Sequence, residues 1–176
     1  MMWQEKYIRL ETKNDFLDSE NFLDNVFGLG RHARTINFLR RNIHPDNRHS
    51  FHYRDASDNL LGLIRFYHII LADKTKASLM GPVAIRYDKQ KQGLGSFLIT
   101  YGLSLMDKNY PAKNYMIFLV GNDDYYKRHG FCKVNLHDDT KKYSIGGPIA
   151  PLSLLVRCHD NQEILKHQGQ LYLING

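Results

Sequence analysis

A single mixed α/β domain is the fold class this sequence predicts, and three observations predict it. Hydrophobic periodicity switches repeatedly between the alternation of strands and the wider spacing of helices. One run, "YMIFLV", is apolar throughout, as a strand buried on both faces is. The chain has 176 residues, 43% hydrophobic and 24% charged, enough for one sizeable core and cramped for two domains.

The elements follow in order. "KYIRLET" alternates and reads as a first strand. Asn14 or Asp15 caps a helix whose apolar positions are Phe16, Leu17, Phe22, Leu23, Val26 and Phe27. "GLGRHARTINFLRRN" is a Gly-rich break followed by a second helix. "FHYRDASDNLLGLIRFYHIILAD" reads as two strands joined by a turn at Asp55–Asn59. "KASLMGPVAIRYD" is another strand, with an irregularity at Gly81-Pro82. An amphipathic helix opens near Gly95, its apolar face expected to be Leu94, Phe97, Leu98, Tyr101 and Leu105. Pro111 follows its end. After the "YMIFLV" strand, "DDYYKRHGF" is a short helix stopped by Gly130. "GFCKV" and "APLSLLVRC" are further strands, and "QGQLYLING" is a small terminal one. Strands and helices mix in one layered α/β arrangement, expected as one domain over residues 1–176.

Charge narrows the partners without choosing one. Lys and Arg number 24 against 18 Asp and Glu, a net charge of +6, which favours anionic ligands. The positive residues are dispersed, and no RNA-binding or helix-turn-helix signature occurs, so a nucleic-acid partner is not expected. No stretch reaches the roughly 18 apolar residues of a membrane span, and "MMWQEKYIRLETKND" lacks the apolar core of a leader. A soluble, cytoplasmic protein is expected. Cys132 and Cys158 suit two reduced thiols rather than a zinc or redox motif. His49 and His52 form the one tight histidine pair, but helical spacing and a Glu are missing, so they read as solvated loop residues and no metal is expected.

The chemistry concentrates in Gln90-Lys91-Gln92-Gly93-Leu94-Gly95, between a strand and a helix. Amides at a helix start are unpaired and carry the positive end of the helix dipole. Glycines allow a ligand close to that backbone, and the result suits a phosphate. The run is not a P-loop, which needs GxxxxGK[ST]. It is not a dinucleotide fingerprint either, because Leu98 stands where the third glycine belongs. What remains is Q-x-x-G-x-G, met by Gln90, Gly93 and Gly95.

At this point the sequence resembles the GNAT N-acetyltransferase family, whose motif [QR]-x-x-G-x-[GA] binds the pyrophosphate of acetyl-coenzyme A. Downstream, Tyr126 to Phe131 resembles the family's Y-x-x-x-G-F signature and follows a buried strand, as it does there. "GPVAIRYDKQKQGLGSFLITYGL", "FLVGNDDYYKRHGF" and "FGLGRHARTINFLR" look like the YhbS-like branch, so the likeness runs roughly from Ile8 to Val156. Asn122 departs from the Asp that many relatives carry. The resemblance implies a mostly antiparallel central sheet of about seven strands flanked by helices. It also implies acetyl-CoA as co-substrate and direct acetyl transfer to a primary amine, on a small molecule or a peptide. It assigns the pantetheine arm to the backbone of Val83, Ala84 and Ile85. The pyrophosphate goes to the turn, and the implied cofactor set there is Gln90, Lys91, Gln92, Gly93, Leu94, Gly95 and Ser96, with Asn122 beyond it.

Tyr126 matches the family position that returns a proton to the departing thiolate, while Tyr125 is read as packing. Many members carry a Glu on the strand before the turn as base. "KASLMGPVAI" has no acid, which leaves the base unassigned among His68, a water chain or a residue elsewhere. That absence also supports an alternative, a non-catalytic acyl-CoA-binding regulatory module. Substrate selection is expected from the first two helices, where Arg31, Arg34, Arg40 and Arg41 form either a solvated basic face or an anion clamp. A homodimer is possible, with Gln170 to Ile174 pairing at an edge.

Overall fold

The computed structural model describes residues 3–33, 35–40, 43–71, 73–111, 115–134, 143–145, 154–158 and 169–173. Among them are nine strands: β1 (Ile8–Leu10), β2 (Phe51–Arg54), β3 (Leu60–Ile70), β4 (Lys76–Ile85), β5 (Ile117–Val120), β6 (Cys132–Lys133), β7 (Tyr143–Ile145), β8 (Leu154–Arg157) and β9 (Gly169–Leu173). The helices are α1 (Phe16–Phe27), α2 (Thr35–Arg40), α3 (Leu94–Asn109) and α4 (Asp123–Tyr126). Seven strands follow the hydrogen-bonded order β1-β2-β3-β4-β5-β8-β6. The β1–β2, β2–β3, β5–β8 and β6–β8 pairings are antiparallel, and β4–β5 is parallel. A parallel pair needs a crossover, and α3 supplies it. This is the mixed, mostly antiparallel sheet flanked by helices that the sequence predicts.

The chain divides into two compact units, and β3 and β4 each contribute to both. The first contains Met1–Arg31, Pro45–Phe66 and Gly81–Asn109. In it, Thr12 and Asp15 form a reciprocal capping box just ahead of α1. Helix α1 then buries Ser19, Phe22 and Leu23 at helical spacing and ends at Gly28, whose φ of 75° favours glycine. Phe22 and Leu23 pack with Leu60, Leu63 and Ala84. The turn between β2 and β3 is tied by the Asp55 carboxylate, which accepts the amides of Ser57 and Asn59.

Helix α3 buries Leu94, Leu98, Ile99, Gly102, Leu103 and Met106. The expected face was therefore displaced: Phe97, Tyr101 and Leu105 lie half-buried along a shallow groove of about 290 Å³ with Glu5, Thr100, Ser104 and Lys108. The reason is Gly102. A Cβ there would stand 3.0 Å from the buried Phe66 ring, so the bare glycine marks the line of closest approach to β3.

The second unit contains His32–His44, Tyr67–Met80 and Tyr110–Gly176. Its core gathers Tyr67, Ile69, Leu79, Met116, Phe118, Leu154 and Val156. The run read as doubly buried is β5, with Ile117, Phe118 and Leu119 all buried. Strand β9 pairs with β3 through Ile70–Tyr172 and Ile69–Leu173, and with β7 through Gly169 to Leu171. The strand expected to offer an edge to a second copy is thus bonded on its own chain; Ile174 lies outside the described residues. Strand β7 was not read from the sequence.

Candidate functional site

The approach to the glycine turn is set by β4. Its peptide between Gly81 and Pro82 is cis, where the sequence reading expects an irregularity such as a bulge. Arg86 N–H donates to Leu61 O at 2.8 Å, and Ala84 O lies 3.3 Å from a Cβ built on Gly62. Residues 84 and 86 therefore turn their backbone groups toward β3. Strand alternation turns those of Val83 and Ile85 to the opposite edge. Ile85 O accepts the side-chain amide of Gln90 at 3.0 Å, so the motif's first residue closes the strand end.

After a 3-10 turn at Tyr87–Lys89, the chain enters the motif with two left-handed residues, Lys91 at φ 58° and Gly93 at φ 86°. Gly93 O accepts Phe97 N–H at 2.9 Å and begins the α3 ladder. The amides of Gly93, Leu94 and Gly95 donate to no acceptor among the described residues. Left-handed residues followed by open amides at the start of a 16-residue helix form an anion-receiving concavity. The Gln92 side chain donates to Asp88 O at 2.8 Å, and its carbonyl accepts the indole N–H of Trp3, also at 2.8 Å. Arg86 pairs with Asp88, whereas Lys91 makes no ion pair among the described residues. Gln90 to Gly93 thus form the turn, and Leu94, Gly95 and Ser96 open α3 directly after it.

Tyr126 ends α4 in the second unit. Asn122 is the N-cap of α4, its side-chain oxygen accepting Tyr125 N–H at 3.0 Å. Gly130 closes the following turn at φ 83°. The Tyr126 ring stands edge-on to Tyr125 at 5.0 Å and to Phe131 at 6.0 Å. Its hydroxyl makes no hydrogen bond among the described residues. Burial, with a contribution from Tyr125, pushes the phenol up to about 12, against an opposing pull from Arg40. Tyr125 lies under the Arg128 guanidinium at 5.0 Å, in keeping with a packing role.

Several expectations change. Arg31 belongs neither to a solvated basic face nor to an open anion clamp. It is buried and donates to Asp24 and Glu20, both at 2.6 Å. Arg40 lies over the Tyr67 ring at 5.3 Å, while Arg34 and Arg41 fall outside the described residues. His49 and His52 are not solvated loop residues but buried. His49 Nδ1 meets Asp46 at 2.6 Å and its Nε2 meets Asn109 at 2.8 Å. His52 lies on β2 and meets Ser19 Oγ at 2.8 Å. No cluster of three or more His, Cys, Asp or Glu able to hold a metal occurs among the described residues. Cys132 and Cys158 are free thiols. No described helix is long and apolar enough to cross a membrane.

Sequence reasoning missed the buried charge cluster of the first unit. Arg65 donates to both Glu11 oxygens, at 2.6–3.1 Å, and to Glu20 at 2.6 Å. With Arg31 and Asp24 it forms one chain of charges. Its members come from four separate stretches, and no local pattern in the sequence links them.

This architecture is that of the GNAT N-acetyltransferases. Among similar solved structures, a GNAT family N-acetyltransferase, YhbS from Escherichia coli in complex with CoA, matches with a TM-score of 0.73 at 19% identity, covering 95% of this chain and 88% of that one. A GNAT family acetyltransferase from Brucella melitensis in complex with acetyl-CoA matches at TM-score 0.55 and 22% identity, over 71% of this chain and 81% of that one. A putative phosphinothricin N-acetyltransferase matches at TM-score 0.57 and 17% identity, over 88% and 98%. No family model matches the sequence, and no curated protein matches it.

Proposed function

We propose that this protein is an acetyl-CoA-dependent N-acetyltransferase, with residues 1–176 acting as one functional domain. The observation that carries the reading is the turn after β4, with three open amides in a GNAT fold. Two of the similar structures were solved with CoA or acetyl-CoA. The amides of Gln92 to Ser96 receive the pyrophosphate. On β4, Val83 and Ile85 offer the edge that faces away from β3, where an extended pantetheine arm would bond as a strand does, whereas Ala84, expected with them, turns its backbone to β3.

In the transfer, the neutral amine nitrogen attacks the thioester carbonyl carbon. The tetrahedral intermediate collapses as the C–S bond breaks, the amine nitrogen sheds a proton, and the thiolate takes one up. Tyr126 serves the sulfur. Its phenol, near 12, lies about 3.5 units above an ordinary thiol near 8.5, so outright transfer costs about 5 kcal/mol. Donating a hydrogen bond to the growing thiolate charge avoids that cost, and the proton itself derives from the amine. The amine belongs to a small molecule or a peptide, and the protein acts without metal or nucleic acid.

The test is thermal unfolding with acetyl-CoA, with ATP and NAD as controls. Ligand at about 100 times its dissociation constant adds about 2.7 kcal/mol. For a chain of this size the midpoint rises by roughly 5–11 °C. A rise with acetyl-CoA alone supports the reading, and no rise at millimolar acetyl-CoA rejects it. The absence of any acid on β4 favours the second reading, a non-catalytic acyl-CoA-binding module. Binding without acetyl release across a broad amine panel would select it.

A further inference from the structure

The chain has one tryptophan, Trp3, and it sits against the cofactor turn. Its indole N–H donates to Gln92 O across 89 residues of sequence. Its ring is edge-on to Tyr53 at 5.4 Å. Tyr53 is buried and meets Tyr7 at 5.9 Å and Phe97, in the first turn of α3, at 6.1 Å. Gln4 N–H donates to the Tyr53 hydroxyl at 3.3 Å. The segment ahead of β1 is therefore fastened by rings to Tyr53 of β2, which itself meets α3, and to the turn by one hydrogen bond.

That bond acts on a particular peptide group. The amide between Gln92 and Gly93 is planar, and in the trans form its C=O and N–H point in opposite directions. Holding Gln92 O toward Trp3 aims the Gly93 N–H away from it. Gly93, at φ 86°, is the residue of the turn with the widest choice of dihedrals. Its neighbours restrain the turn elsewhere: Gln92 Nε2 holds Asp88 O and Gln90 Nε2 holds Ile85 O. Among the described residues, Trp3 alone holds the Gln92 carbonyl.

We propose that Trp3 is a positioning residue for the cofactor: it pre-sets the Gln92–Gly93 peptide so that the Gly93 amide is offered to the pyrophosphate. This rests on the acetyl-CoA reading above. Pre-organisation lowers the ordering cost of binding, and it serves only the part of the ligand that meets the turn.

The experiment is Trp3→Phe, which keeps a ring against Tyr53 and removes the N–H. Steady-state kinetics are compared for acetyl-CoA and S-acetylpantetheine, a thioester without the pyrophosphate. The KM for acetyl-CoA should rise about fivefold, in line with one lost hydrogen bond, while kcat and the KM for S-acetylpantetheine stay unchanged. Equal shifts for both thioesters, or none for either, overturn the inference and leave the acetyl-CoA reading standing. Failure of the wild-type protein to bind acetyl-CoA overturns both. The unmodified protein gives a second measurement that does not depend on the variant folding. Because Trp3 is the sole tryptophan, its emission should change and saturate as acetyl-CoA is added, and should not change with S-acetylpantetheine. A constant emission at saturating acetyl-CoA overturns the proposal.

Discussion

Tyr126 carries the sharpest prediction at the scale of single residues. Its phenol lies far above neutrality, so it is fully protonated at every pH at which the fold is ordinarily studied. A hydrogen bond to a charged acceptor contributes about 1.5–3 kcal/mol. Tyr126→Phe should therefore lower kcat by roughly 10- to 100-fold with little change in KM for acetyl-CoA. Initial rates at saturating thioester check this, and an unchanged kcat removes Tyr126 from the chemistry. As a candidate, this residue was legible in the sequence because a signature surrounds it. Gln90, Gly93 and Gly95 were legible for the same reason. Trp3 and Glu11 were not. Trp3 reaches Gln92 from 89 positions away, and Glu11 meets Arg65 from 54 positions away. Only the folded chain brings such pairs together.

Between β5 and α4, one glycine decides how the elements meet. A Cβ on Gly121 would stand 2.5 Å from Tyr126 Cε2 and 3.0 Å from both its Cδ2 and Leu119 Cδ1. The ring has little room to yield, with Tyr125 on one side and the buried Phe131 on another. Gly121→Ala should displace the ring, cost about 1–3 kcal/mol of stability and lower kcat as Tyr126→Phe does. Combined with Tyr126→Phe it should lower kcat no further, while the stability loss persists because phenylalanine keeps the ring. Paired kinetic and thermal measurements separate the two effects. Most elements were legible because periodicity and punctuation agree, as at Gly28 and Gly130. The buried face of α3 was misplaced because apolar residues occur all round that helix. Periodicity then offers several stripes, and the contact of Gly102 with Phe66 selects one. The three residues of β7 are too few to show a period.

The acid response of the whole molecule should be governed by carboxylates buried with their partners. Glu11 is 5% exposed. Burial by itself would raise its carboxyl, but the hydrogen bonds and charge of Arg65, with His52 nearby, outweigh it and bring it from 4.5 to about 2. Arg65 is the partner that carries this, since it is bidentate, whereas His52 Nε2 lies 3.8 Å away. The folded value lies below the unfolded one. The stabilisation is thus fully present above pH 4.5 and is lost as pH falls through about 2. A shift of that size corresponds to about 3 kcal/mol. Glu20 is lowered in the same direction against its burial by Arg31 and Arg65, so part of the acid slope remains when Glu11 is removed. Glu11→Gln should therefore cost about 3 kcal/mol near neutrality, and should make stability visibly less dependent on pH between about 4.5 and 2. Denaturant unfolding at a series of pH values, followed by Trp3 emission, measures both changes in the unit that contains Glu11. A variant with the wild-type pH slope would place the acid sensitivity on other carboxylates. A variant with the wild-type stability at neutral pH would show that the Arg65 pairing with Glu20 is sufficient to hold β3 to α1.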